Sequence, residues 1–162
     1  MIVRAEAPDD AAEIRRVTEA AFGGAREADL VEALRAGGHM ALSLLALDAS
    51  EVIGHALFSP LVSPASALAL APVSVAPDRQ REGIGSRLIR FGLEMMREDG
   101  WEAVFVLGDP AYYGRFGFRR EMAAPFETAY PREYFMALEL RPGVLAGMGG
   151  AVVYPAPFLA LA

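Results

Sequence analysis

An apolar stretch interrupted by a proline runs directly into a glycine-containing turn and then into an amphipathic helix. Residues 67–75 have the pattern of a strand. Pro72 cannot donate a hydrogen bond to a neighbouring strand, so we expect the strand to bulge or splay there. In residues 84–98 apolar side chains recur at helical spacing, with charged side chains around the other side. The unit therefore predicts a sheet with helices packed on it.

Further strands and helices are predicted on both sides of this unit. Asp10 and Glu13 have capping-box spacing and predict the start of a first helix. A second helix is predicted over residues 25–35. Strands are predicted at residues 1–4, 41–47, 52–60, 103–107, 134–140 and 151–154, with a short helical piece at 112–116. Helices alternate with strands in the middle of the chain and antiparallel hairpins flank them, which predicts a mixed α/β fold.

Composition places the chain among globular proteins and narrows its function. Residues 1–162 are expected to form a single domain, with 54% hydrophobic and 22% charged residues. The formal net charge of −6 disfavours nucleic acid as a partner, because phosphate backbones require a basic surface. No apolar run approaches the roughly 20 residues that cross a bilayer, and the N-terminus lacks a secretory signal, so a cytoplasmic location without membrane association is expected.

Residue types that are missing exclude several kinds of chemistry. There is no cysteine, which rules out disulfides and thiolate catalysis. There is also no lysine, which rules out a Schiff base and the P-loop lysine. His39 and His55 are the only histidines, too few for a histidine-rich metal site. We therefore expect no metal centre and no covalent enzyme intermediate.

The turn before the long helix has the properties of a phosphate site. Gly83 and Gly85 let the backbone approach a ligand closely, and the helix that follows offers free N–H groups and a positive dipole end. Arg79, Arg81 and Arg87 add positive charge nearby. These features predict that a phosphorylated carrier binds here.

Two motifs in this order resemble those of the GNAT N-acetyltransferase superfamily. Residues 80–85, QREGIG, match its Q/R-x-x-G-x-G/A motif. Residues 113–118, YGRFGF, match its second signature, a tyrosine four residues before Gly-Phe. The longer strings VLGDPAYYGRFGF, YFMALEL and GAVVYP are similar to the YhbS-like predicted bacterial acetyltransferases. The resemblance spans nearly the whole chain. It implies a central mixed sheet with a splayed pair of parallel strands flanked by helices.

The resemblance also implies the donor and the residues that hold it. Acetyl-CoA, or another short acyl-CoA, would be the co-substrate. Its pantetheine arm would lie along the splayed strand edge, and its pyrophosphate would lie on the turn and the helix start. The residues implied for this binding are Val73, Ser74, Val75, Gln80, Arg81, Glu82, Gly83, Ile84, Gly85 and Ser86.

The implied chemistry is direct attack of a primary amine on the thioester in a ternary complex, with transfer of the acetyl group. Tyr113 matches the family tyrosine that serves as general acid toward the departing thiolate. The base is open between Glu27 and His55, with Asp29 as a further candidate, and His55 is equally compatible with a core position. Tyr113 is likewise compatible with a packing role.

Alternative functions remain open at this point. A regulatory module that binds acyl-CoA without turnover would share the turn and the helix, and so would a nucleotide-binding protein. The acceptor, a small molecule or a peptide amine, is not readable from the sequence. The resemblance also allows a homodimer.

Overall fold

The computed structural model describes residues 1–161, and its main feature is a six-stranded sheet. The strands are β1 (Ile2–Ala5), β2 (Leu42–Asp48), β3 (Glu51–Pro60), β4 (Ala67–Val75), β5 (Ala103–Leu107) and, later in the chain, β7 (Phe135–Glu139). The sheet order is β1-β2-β3-β4-β5-β7. All neighbours are antiparallel except β4 and β5, which are parallel. The predicted mixed α/β class is confirmed.

Helices cover both faces of this sheet. The longer ones are α1 (Ala11–Phe22), α2 (Arg26–Ala36) and α3 (Ile84–Glu98). Side chains of α1 and α2, such as Ile14 and Leu34, belong to one buried cluster, whereas Leu88 and Ile89 of α3 belong to another. The sheet is therefore buried on both sides, which explains why most β3 residues are apolar.

The parallel pairing between β4 and β5 is short. Its register runs from Ala67 opposite Ala103 to Ala69 opposite Phe105 and stops there. Just beyond that point the register of β4 with β3 shifts between Leu70 and Val73, around Pro72. The predicted bulge is thus confirmed. Because β5 diverges, backbone groups of residues 70–75 have no β5 partner, and the two strands splay apart.

The C-terminal part forms smaller elements beside the open end of the sheet. These are α4 (Pro110–Tyr113), α5 (Arg120–Ala123), β6 (Phe126–Glu127), β8 (Gly150–Ala151) and 3₁₀ helices at Gly114–Phe116, Arg132–Tyr134 and Ala156–Leu161. Two further 3₁₀ helices, at Pro8–Asp10 and Pro77–Arg79, lie earlier in the described part of the chain. β6 pairs with β8 in parallel, separately from the main sheet. The last 3₁₀ helix packs on α2, and its Phe158 is buried.

Two local predictions are corrected. Residues 151–154 were expected to form a closing strand, but only Gly150–Ala151 is a strand, and Val153 makes an isolated bridge to Ser63. The expected capping box of Asp10 and Glu13 is absent as well. Asp10 instead accepts from the Ala7 N–H at 2.6 Å and pairs with Arg4, because a 3₁₀ turn precedes α1 and points this carboxylate backwards.

The described residues include neither a candidate membrane span nor a candidate metal-binding cluster. Within residues 1–161 no helix combines the length and the apolar character needed to traverse a bilayer. In the same residues no three histidine, cysteine or acidic side chains come together as a group that could hold a metal ion.

Candidate active site

The start of α3 presents unpaired backbone N–H groups. Gly83 is the residue before the helix and has φ of +82°, a left-handed conformation that favours glycine. The first helical hydrogen bond runs from the Arg87 N–H to the Gly83 carbonyl. The N–H groups of Ile84, Gly85 and Ser86 therefore lack helical acceptors and point outwards at the positive end of the helix dipole. This arrangement suits an anion.

A cavity of about 490 Å³ lies at this helix start, and we call it the anion cradle. Its walls are Val75, Gln80, Arg81, Gly83, Ile84, Gly85, Ser86, Tyr112 and Arg115. The residues predicted for the pyrophosphate are thus brought together, apart from Glu82, which does not line the cradle. The Gln80 side chain donates to the Val75 carbonyl at 3.3 Å and ties the turn to the end of β4.

Of the three arginines expected to add charge here, Arg81 lines the cradle, whereas Arg79 and Arg87 do not. Arg79 is occupied by Asp48 at 2.9 Å and by Glu82 at 3.1 Å. Arg115, which the sequence did not single out, borders the cradle instead. Its guanidinium lies 4.4 Å from the centre of the Tyr112 ring and 3.4 Å from the Ser86 hydroxyl. A folded-back arginine on an aromatic ring supplies a positioned charge for an anion.

The splayed edge of β4 connects the cradle to a second cleft. Val75 lines the cradle, whereas Val73 lines the second cleft. Between them Ser74 turns its side chain into the core, where its hydroxyl has no partner among the described residues. An extended ligand that enters the cradle can therefore follow the unpaired backbone of β4 into the second cleft.

The second cleft, which we call the aromatic cleft, has a volume of about 390 Å³. Two of its walls are β4 residues 69–73 and β5 residues 105–107. The other lining side chains come from elsewhere in the chain and are Phe22, Arg26, Glu27, Leu30, Tyr113, Tyr130, Tyr154 and Phe158. Every lining residue except Arg26 and Glu27 is aromatic or aliphatic. The side chain of Glu27 is half-buried and makes no hydrogen bond or ion pair with any other residue that the structure describes.

Tyr113 lies where the two strands diverge. Asp109 caps α4 by accepting from the Ala111 N–H at 3.0 Å, and Pro110 begins the helix. This short helix starts just beyond the end of β5 and turns Tyr113 into the aromatic cleft. Burial, together with the nearby Tyr112, raises the pKa of Tyr113 to about 12. The phenol therefore stays protonated at neutral pH, as a hydrogen-bond donor or general acid requires.

His55 lies in the core between β2 and β4, outside the lining of either cavity. Its Nε2 is 2.8 Å from the Ser43 hydroxyl, which donates to Glu6 at 2.6 Å. The Ser43 oxygen must then accept from His55, so the proton is on Nε2. Burial, opposed by the negative charge of Glu6, lowers the pKa of His55 to about 4. Thus the imidazole is neutral and faces a structural network.

The buried His55 predicts an acid-sensitive stability. Between about pH 4 and 6.5 the unfolded chain binds a proton at this position and the folded chain does not, so stability should rise with pH over this window. The group alone accounts for about 3 kcal/mol between pH 7 and 4. We expect His55→Gln to make the free energy of unfolding, measured in urea, depend less on pH within this window. An unchanged slope relative to wild type would contradict the prediction, and His39→Gln is the control.

Several residues of the site were missed by the sequence analysis. Arg115 lies inside the second motif and could have been noticed as the one cation between its glycines. Tyr130, Tyr154 and Phe158 carry no local signal, because each reaches the aromatic cleft only through the path of the C-terminal segment. Asp29, in contrast, pairs with Arg15 at 3.0 Å and does not line the cleft.

Comparison with known proteins agrees with this geometry. Residues 11–118, more than half of the chain, match the Acetyltransferase (GNAT) family. The uncharacterized N-acetyltransferase YjhQ of Escherichia coli K12 is 41% identical over 133 residues, which cover 77% of this chain and 71% of YjhQ. The uncharacterized N-acetyltransferase YhbS of the same strain is 34% identical over 160 residues, covering 95% of this chain and 96% of YhbS.

Two solved structures share the fold. The crystal structure of Escherichia coli YhbS in complex with CoA superposes with a TM-score of 0.92 at 34% identity, and the match covers 98% of this chain and 91% of that chain. A GNAT family acetyltransferase from Brucella melitensis in complex with acetyl-CoA superposes with a TM-score of 0.83 at 41% identity, over 97% of each chain.

The fold and the site together define an α/β protein in which a splayed parallel strand pair joins an anion cradle to an aromatic cleft. This chain belongs to the GNAT family of acetyltransferases.

Proposed function

We propose that this protein is an N-acetyltransferase that moves the acetyl group of acetyl-CoA to a primary amine by direct attack in a ternary complex. Residues 1–162 would act as one domain. The observation that supports this most is the splay between β4 and β5, because it leaves the edge of β4 open between Val75, which lines the cradle, and Val73, which lines the aromatic cleft. Such a path fits a donor with a pyrophosphate at one end and a thioester at the other.

Donor binding is proposed to use backbone groups more than side chains. The N–H groups of Ile84, Gly85 and Ser86 would hold the pyrophosphate, with Arg115 and Arg81 at its sides. Backbone groups of Val73, Ser74 and Val75 that lack a β5 partner would bind the amides of the pantetheine arm. A β4 amide would also donate to the thioester oxygen as negative charge develops there. The two relatives solved with CoA and acetyl-CoA support this assignment.

Two side chains in the aromatic cleft are proposed to handle the protons. The acceptor enters as an ammonium ion, since alkylamines have a pKa around 10, and Glu27 takes one proton from it. The amine nitrogen then bonds to the carbonyl carbon, and the carbon–sulfur bond breaks with its electron pair on sulfur. Tyr113 donates its hydrogen to that sulfur. Burial of the thiolate in the same apolar cleft raises the pKa of the corresponding thiol and favours this transfer. The nitrogen of the new amide then returns its surplus proton to the Tyr113 phenolate, and Glu27 releases its proton to solvent.

We assign the base to Glu27 and leave His55 without a catalytic role. Glu27 borders the cleft and has no partner among the described residues. His55 is buried on β3, beside Ser74 of β4, and its Nε2–H is already donated to Ser43. A buried imidazole with a pKa near 4 is also a weak proton acceptor at neutral pH.

Arg115 provides a test of the cradle. We expect Arg115→Gln to weaken acetyl-CoA binding about tenfold, because one charge–phosphate contact is lost. The dependence of affinity on salt should also become shallower. Arg119→Gln is the matched control, since Arg119 is exposed and pairs with Glu121 away from the cradle. Equal affinities of the two variants, measured by titration calorimetry, would count against this role.

The proposed function is tested by thiol release from acetyl-CoA in the presence of a broad amine panel. The protein has no cysteine, so any thiol detected comes from CoA. Amine-dependent release, with the acetylated amine seen by mass spectrometry, would support the proposal. Tight acetyl-CoA binding without release across the whole panel would favour a non-catalytic acyl-CoA-binding module instead.

A further inference from the structure

The aromatic cleft has a chemical character that points to one class of acceptor. Tyr130 and Tyr154 meet edge to face, with ring centres 5.5 Å apart and an interplanar angle of 89°. The ring centres of Tyr154 and Phe158 lie 5.2 Å apart. All three side chains line the cleft, and perpendicular rings can offer both a face and an edge, the surfaces against which another aromatic ring packs best.

The tyrosine hydroxyls in this wall are unused by the residues that the structure describes. Neither Tyr130 nor Tyr154 makes a side-chain hydrogen bond to any residue that the structure describes. Burial raises the pKa of both phenols, so they remain neutral. A partly buried hydroxyl usually finds a partner. These two groups are therefore available to a polar substituent or to the amine of a bound molecule.

The charge of the cleft fits a single cation. Glu27 is the one carboxylate among its lining residues, and Arg26, which also borders the cleft, has an interaction of its own. Other acids on α2, Asp29 and Glu32, pair with Arg15 outside the cleft. A polycationic acceptor such as a polyamine or an aminoglycoside would leave buried ammonium groups without counter-ions, which is unfavourable.

The walls also limit the size of the acceptor. A volume of about 390 Å³ is near the lower end of ordinary small-molecule sites. Phe158 is 4% exposed and packs in the core with α2 residues, so the C-terminal segment forms a fixed wall. A compact molecule fits such a site better than an extended peptide does.

We propose that the acceptor is a small arylalkylamine, a primary amine joined to an aromatic ring by a short alkyl linker. Its ring would pack against Tyr130, Tyr154 and Phe158, and its ammonium group would face Glu27. This inference rests on the proposed function, because the amine is an acceptor only if the acetyl group is transferred to it. Binding of the amine does not depend on turnover.

Binding and turnover are measured separately to test it. Protein saturated with CoA is titrated calorimetrically with 2-phenylethylamine, n-hexylamine, spermidine and a lysine-containing peptide. Thiol release from acetyl-CoA is then measured with the same four amines. We expect 2-phenylethylamine to bind at least about tenfold more tightly than n-hexylamine, as one good aromatic contact would provide.

Variants locate the binding site. We expect Tyr130→Leu and Tyr154→Leu each to weaken 2-phenylethylamine binding about tenfold, with acetyl-CoA affinity unchanged. Tyr134→Leu is the matched control, because Tyr134 is 48% exposed and does not line the cleft. Should Tyr154→Leu unfold the protein, the less buried Tyr130 still provides the test.

The outcomes separate this inference from the proposed function. Selective binding of 2-phenylethylamine without thiol release would support the acceptor class and overturn the acetyltransferase proposal. Thiol release with spermidine or the peptide, but not with 2-phenylethylamine, would support the acetyltransferase proposal and overturn the acceptor class. Equal binding of phenylethylamine and hexylamine, or equal effects of Tyr130→Leu and Tyr134→Leu, would also overturn it.

Discussion

Tyr113→Phe is expected to lower kcat by about 10²-fold or more, the usual effect of losing a positioned acid. The ring remains, so its contacts with Phe118 and Gly108 are kept. Only the hydrogen that would be donated to the leaving sulfur is removed. Acetyl-CoA affinity, measured by calorimetry, should therefore change little, whereas steady-state thiol release should fall sharply.

The adjacent tyrosine is a matched control for this prediction. Tyr112 lines the cradle, and its hydroxyl lies against Gly85, 2.8 Å from where a Cβ of that residue would be. We expect Tyr112→Phe to alter KM for acetyl-CoA and to leave kcat near the wild-type value. If Tyr113→Phe retained full kcat, the phenol would be a packing group and the acid would have to be water or another residue.

The pH behaviour of Tyr113 follows from its raised pKa. Because the phenol loses its proton only near pH 12, it should not cause a decline of kcat on the alkaline side below about pH 11. Activity should instead rise between neutral pH and pH 10 as the amine itself loses its proton. A decline in kcat beginning near pH 9, absent in Tyr113→Phe, would show that the acid titrates much earlier in the ternary complex.

Glu27→Gln is expected to lower kcat/KM by about 10²-fold at pH 7, since the ammonium ion then lacks a proton acceptor. The loss should shrink as the pH approaches 10, where the amine deprotonates in solution. This partial recovery distinguishes a base from a side chain that only shapes the cleft. The measurement is thiol release as a function of pH for wild type and variant.

Glu32→Gln is the control for Glu27, because Glu32 lies on the same helix and pairs with Arg15 at the surface. We expect it to keep wild-type kcat/KM at every pH. If Glu27→Gln lost the same factor at pH 7 and pH 10, the carboxylate would not be acting as the base. A water chain would then be the better explanation.

Most predictions that depended on neighbours in sequence agree with the structure, although the capping box of Asp10 and Glu13 does not form. The strand at Ala67–Val75, the shift at Pro72 and the helix at Ile84–Glu98 all follow from short-range patterns. Helical spacing and proline's missing N–H act over a few residues, so one stretch of sequence contains the whole cause. The cradle is predicted for the same reason, since a turn and the helix after it provide most of its N–H groups.

Predictions that required distant residues were less complete. The partner of Arg79 is Asp48, 31 positions away, and that pairing removes Arg79 from the cradle. His55 could be read as a base or as a core residue, and only its position between Ser43 and the buried side of β4 distinguishes them. Nothing local to Tyr154 indicates that it lies opposite Tyr130.

The sequence alone therefore determined the strand interrupted by Pro72, the anion cradle at Gly83 and Gly85, and the family, because these depend on contiguous residues with local conformational rules. Only the tertiary structure decided how far β4 and β5 diverge, which arginine borders the cradle and what lines the aromatic cleft. Those features depend on chain crossings and on packing between segments far apart in sequence. Backbone rules define the proposed donor end of the site, whereas long-range packing defines the proposed acceptor end.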